Sequence, residues 1–170
     1  MWNSQVIIML LEGIRDTLYM TLASTLFGYI IGLPMGIVLT VTDKDGIRPN
    51  AAVYKVLDVI SNLLRSIPFI ILLIVLIPFT RFVVGRSYGS TATIVPLTIA
   101  AAPYIARMVE SSLKEVDAGV IEAARSMGAS DFQIVTKVML VEARTSLIVG
   151  ATISLGTILG YSAMAGTVGG

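Results

Sequence analysis

The sequence predicts an all-α fold, a polytopic helical bundle in a membrane, and three observations carry that expectation. Of its 170 residues, 55% are hydrophobic and only 14% charged, whereas about a quarter are charged in soluble domains. Mean hydropathy is +0.87. The charges are bunched, leaving long uncharged stretches between them. A soluble domain of this size cannot hide so much apolar surface in a single core.

The first uncharged stretch, residues 17–42, covers 26 positions, more than the roughly 20 needed to cross a bilayer. It is too long for a signal peptide, and acidic residues precede it. Gly28, Gly32, Pro34 and Gly36 within it predict close helix packing and a kink. A second span is expected over residues 60–81. Its uncharged core is short, so Arg65 must snorkel, pair or line a polar cavity. The third span, residues 90–106, is interrupted by Pro96 and Pro103. The fourth, residues 146–165, lies in an end stretch without any charge. There Gly150, Gly156 and Gly160 serve helix packing.

Between the third and fourth spans, residues 107–144 hold 11 of the 23 charges. The segment is too short for a domain and reads as two short amphipathic helices. Glu110 and Lys114 stand i,i+4 in the favourable order. Asp117 caps a helix carrying Val120, Ile121, Ala124 and Met127 on one side. Gly128 occupies the place of a left-handed helix stop. Ser130 and Gln133 then form a capping box that opens a second helix with Phe132, Val135, Val138 and Met139. Either the segment is a solvated connection or its apolar stripes dock on a partner or the membrane surface.

Lys44, Arg48 and Lys55 of the first loop join five basic residues of the charged segment on one side, against Arg15, Arg81 and Arg86 on the other. This eight-to-three asymmetry assigns the first loop and the charged segment to the cytoplasm, with the N-terminus and residues 165–170 outside. What the chain lacks is equally informative. Without His or Cys there is no Ser-His or Cys-His nucleophile and no usual zinc, haem or iron–sulfur ligand set. No catalytic residue and no metal site is expected. A net charge of +1 does not suit nucleic acid. No GxxxxGK[ST] motif is present, so the chain has no P-loop for nucleotide phosphates.

The charged segment carries a resemblance. Glu122-Ala123-Ala124 followed by Gly128 is similar to the EAA loop of ABC importer permeases, with Met139 and Val141 standing where that pattern has Ile and Pro. Over nearly the whole chain, RSIPFIILL from Arg65, IVPLTIAAAPYIARMVE from Ile94, IEAARSMGAS from Ile121 and GYSAMAGTVGG from Gly160 resemble permease subunits of bacterial methionine importers. That family has five spans, so the resemblance implies that the sequence stops where a fifth would begin.

The resemblance implies a type I ABC importer permease in the bacterial cytoplasmic (inner) membrane, moving D/L-methionine by alternating access. Its implied partners are a second copy of itself, two cytoplasmic ABC ATPase subunits and a periplasmic or extracellular substrate-binding lipoprotein. It binds no cofactor; ATP and Mg belong to the ATPase subunits. Glu122, Ala123, Ala124 and Gly128 become the ATPase-coupling residues, the two alanines permitting close approach to a groove. Tyr161, Ser162 and Met164 are the candidate lining of the path, or else core and lipid-facing residues. A dimer around the path also follows from the span count, four or five helices being few to enclose and gate a path alone. Three alternatives stand beside this reading: a permease for another amino acid or small polar solute, a channel that needs no ATP, and a membrane scaffold.

Overall fold

A computed structural model describes residues 4–166, every element of which is helical. Past Gly166 the glycine-rich end expected outside lies beyond the described residues. Helix α1, Ser4–Thr42, has 39 residues, about 58 Å at 1.5 Å per residue. It begins well before the expected span and takes Glu12, Arg15 and Asp16 into its length. Helix α2, Ala51–Ser66, is capped by Asn50, whose side chain accepts from the Val53 N–H at 3.2 Å. Helices α3, Phe69–Val75, and α4, Ile77–Val84, follow, and α4 stops at Gly85 with φ +81°. The long helix α5, Ser90–Lys114, contains Pro96 and Pro103. Next come α6, Ala118–Ser126, and α7, Asp131–Gln133. A π-helical stretch, Ile134–Met139, runs on into α8, Leu140–Glu142, and the last helix is α9, Arg144–Gly166.

The continuous passage expected over residues 60–81 is broken. Pro68 disfavours a helical conformation at the preceding residue, and Ile67 is extended at φ −82°, ψ 125°. As a result α2 and α3 meet at 103°. By length and composition α1, α5 and α9 are each able to cross a membrane, and the bent pair α2–α3 makes a fourth candidate.

Helix α5 is the centre of the bundle. Every third or fourth residue of its lower half (Ala101, Ile105, Val109 and Leu113) is at most 1% exposed. These share one core with Ala124, Ile134, Val135, Met139 and Ala143 of the charged segment and Ile158 of α9. A smaller cluster of Met20, Phe69, Leu97 and Ala165 fills the other half. On the facing side α1 presents Gly28, Gly32 and Gly36, one per turn. A methyl added at Gly32 would stand 2.6 Å from the Ala102 carbonyl oxygen and 2.9 Å from Ile105 Cβ. The glycines therefore set how closely α1 and α5 approach, as small residues do between membrane helices, where there is no hydrophobic drive to associate.

Polar contacts sort the loops by end. The Arg125 Nη2 donates to the Ile47 carbonyl at 2.9 Å, and Lys114 pairs with Asp43, so the first loop and the charged segment lie together. At the opposite end Ser90 Oγ donates to Asp16 Oδ2 at 3.0 Å, next to the loop of residues 85–89. A cysteine placed by Ser87→Cys, in a chain with no cysteine background, is expected to react with an impermeant thiol reagent from outside the intact membrane. Labelling only after permeabilisation would reverse the orientation.

Candidate functional site

The charged segment is built by its caps. Asp117 Oδ1 accepts from the Gly119 N–H at 2.7 Å and starts α6. The helix closes where the Gly128 N–H donates to Arg125 O at 2.9 Å and the Ala129 N–H to Ala124 O at 3.1 Å. That pair of bonds is the Schellman closure, and it requires the left-handed φ of +84° found at Gly128. Ser130 and Gln133 form the reciprocal capping box directly after it. The turn between α6 and α7 is thereby fixed by backbone bonds on one side and by side-chain-to-backbone bonds on the other.

Successive residues of a helix point about 100° apart, and this corrects the expectation for Ala123 and Ala124. They are not offered to a partner together. Ala124 is 6% exposed and belongs to the core shared with Val109, Leu113 and Met139, whereas Glu122 and Ala123 are exposed. The expected apolar stripe divides in the same way. Ile121 leans into the core, while Val120 and Met127 face out, Met127 being 82% exposed. Phe132 is likewise outward at 77% exposure, although Val135 and Met139, grouped with it by periodicity, are buried. The outward face thus consists of Glu122, Ala123, Met127 and Phe132 around the Gly128 turn. Met127 and Phe132 are exposed apolar side chains on an element whose caps are fixed.

Behind this face an ion-pair ladder ties three helices together. Glu110, 5% exposed, accepts from Arg107 Nη1 at 2.7 Å and from Lys114 Nζ at 2.8 Å. Tyr54 OH donates to it at 3.2 Å. Arg107 also pairs with Asp58 of α2, and Lys114 with Asp43 just past α1. The hydrogen bond from Lys114 outweighs desolvation and holds the Asp43 carboxyl below its ordinary range. A depressed carboxylate contributes stability above the unfolded value, about 3.9, and loses it only as pH falls through the lower folded value. The Asp43–Lys114 pair therefore contributes in full at neutral pH. Periodicity makes only the ladder's Glu110–Lys114 step legible; Asp43, Asp58 and Tyr54 come from distant sequence and no local signal joins them.

The residues expected along the path separate. Tyr161 stacks on Phe69, with ring centroids 4.8 Å apart and planes 5° from parallel, and it lines a cavity of about 190 Å³ beside Arg65 and Tyr104. Ser162 does not reach that cavity. It is 2% exposed, donates to Leu159 O at 2.8 Å and accepts from Thr21 Oγ1 at 3.4 Å, between α9 and α1. Met164 is 45% exposed on α9.

Residues 8–170 match the family model described as "Binding-protein-dependent transport system inner membrane component". The chain belongs to this family of inner-membrane permeases. Among curated relatives, the D-methionine transport system permease protein MetI of Salmonella typhimurium is 55% identical over 158 residues, which is 93% of this chain and 73% of the relative. The probable MetI of Vibrio cholerae is 46% identical over 162 residues, covering 95% and 72%. Among solved structures, the permease fold superposes on a chain of the MetNI methionine ABC transporter in an inward-facing conformation. The TM-score is 0.97 at 52% identity, covering 99% of this chain and 78% of that one. A chain of an amino acid ABC transporter described with histidines shares the fold alone, at a TM-score of 0.66 and 22% identity.

Proposed function

We propose that this permease is the membrane subunit of an ATP-driven importer and passes methionine across the inner membrane by alternating access. The observation that carries the proposal is the outward face of α6, where Glu122, Ala123 and Met127 stand exposed on a helix whose other side is sunk in the core of the bundle. Such a helix suits the task of receiving force from a cytoplasmic partner. Its partners in this reading are two ATPase subunits, a second copy of the permease and an external substrate-binding protein. The permease itself hydrolyses nothing and holds no cofactor; ATP and Mg sit in the ATPase subunits, in keeping with the missing P-loop. Coupling requires that the ATPase subunits bind the α6 face differently in the inward- and outward-facing states, because equal affinity would shift neither.

Glu122 supplies a charge for a partner's donor, Ala123 allows close approach and Gly128 sets the turn that displays Met127. Ala124 contributes from the inner side, by fixing α6 to α5. Along the path, Tyr161 and Met164 are the proposed lining, and Ser162 positions α9 against α1. The test is uptake of labelled methionine into proteoliposomes holding permease, ATPase subunits and binding protein. Uptake is expected only with ATP inside the compartment that the ATPase subunits face. Uptake persisting without the ATPase subunits would make the protein a channel, and uptake of a different amino acid alone would displace methionine.

A further inference from the structure

Arg65, near the end of α2, has no carboxylate partner among the described residues, although the neighbouring Arg107 has two. Its guanidinium carbon stands 6.0 Å from the centroid of the Tyr104 ring. Tyr104 lies three residues up α5 from Arg107, about 4.5 Å beyond the Asp58–Arg107 pair at 1.5 Å per residue. The cation therefore stands at the inner margin of the charged end, where the spans begin. An ionisable side chain bordering the spans faces a cavity, a partner or a ligand when it does not reach the interface.

What surrounds Arg65 is a cavity of about 190 Å³ lined also by Phe69, Leu72, Tyr104 and Tyr161. The break at Ile67 and Pro68 turns α2 away from α3 at this point, so Arg65 on one helix and Phe69 on the next border the same space. One wall is cationic and the remainder is aromatic and aliphatic. We infer that this cavity is a transit site for the transported amino acid, with Arg65 taking its carboxylate and Tyr104, Phe69 and Tyr161 its apolar side chain. An arginine fork receives a carboxylate with two parallel hydrogen bonds, and aromatic rings at about 5 Å favour a thioether sulfur. The two chemistries stand within one small volume. This assignment rests on the importer reading above and adds the residues that meet the substrate inside the membrane.

The reconstituted complex tests it with Arg65→Gln, measuring methionine uptake and ATP hydrolysis stimulated by methionine-loaded binding protein on the same vesicles. Arg65 lies away from the outward face of α6, so uptake is expected to fall about tenfold further than hydrolysis, the scale of one lost charge-assisted hydrogen bond. Uptake within about twofold of the parent, or uptake and hydrolysis falling in parallel, would overturn the assignment and leave Arg65 a structural anchor. Should Arg65→Gln fail to assemble, the same pair of rates on Arg65→Lys decides, uptake alone falling being the expected result because a point charge does not reproduce the fork. The parent complex separates the two levels of the argument. If it takes up no methionine, the importer reading itself fails; if it does and the variant matches it, only the site fails.

Discussion

Ala123→Trp is expected to abolish uptake with the permease fully folded, whereas Ala124→Trp is expected to reduce the amount of folded permease. The two substitutions are chemically identical and adjacent, and they differ only in direction. Ala123 is exposed, so an indole there meets the partner's surface and not the bundle. Ala124 is 6% exposed, in the core with Val109, Leu113, Ile134 and Met139. Overpacking such a site costs about 1–3 kcal/mol, occasionally more, and a few kcal/mol is a large share of the total stability of a folded protein. The check is purified yield and thermal stability of each variant, alongside uptake and stimulated ATP hydrolysis. If Ala123→Trp transports normally, the outward face of α6 is solvated surface and the coupling proposal fails. If Ala124→Trp folds as well as the parent, the placement of its side chain in the core is wrong.

The second large effect is expected at Gly36. A Cβ there would stand 2.5 Å from the Ala106 carbonyl oxygen and 2.6 Å from Val109 Cβ, distances at which backbone must move. Gly36→Leu should therefore separate α1 from α5 and disassemble the permease, and even Gly36→Ala should lower its thermal stability. Gly13, on the same helix, has nothing within 4 Å of the corresponding position. Gly13→Ala is expected to be neutral or slightly stabilising, since alanine is favoured over glycine inside a helix by about 0.5–1 kcal/mol. Equal behaviour of Gly36→Ala and Gly13→Ala would show that the α1–α5 contact does not depend on the glycine ridge.

The helical membrane character and the caps of the charged segment were legible because they are local. Uncharged runs mark α1, α5 and α9, and Asp117, Gly128, Ser130 and Gln133 act on backbone within four residues. The family resemblance was legible in the EAA pattern with Gly128. The inward turn of Ala124 was not, because a stripe read by period alone does not say which side the bundle will claim. Nor was the break at Pro68, where a span-length count treats residues 60–81 as uniform although proline constrains Ile67. Beyond its Glu110–Lys114 step, the ladder through Asp58 and Arg107 depends on α2 meeting α5, a tertiary event with no trace in the local pattern.

The shared core of α5 and the charged segment has a mechanical consequence. Because Ala124, Ile134 and Met139 occupy the same packed volume as Val109 and Leu113, there is no slack between the element that a partner would push and the helix at the middle of the bundle. The glycine contact extends that stiffness to α1, and the ladder of charges extends it to α2. A displacement applied at Met127 is then transmitted as a lever is turned, without being absorbed by a yielding linkage. A sharp change of direction along that path is the 103° corner between α2 and α3, beside the cavity of Arg65, Tyr104 and Tyr161.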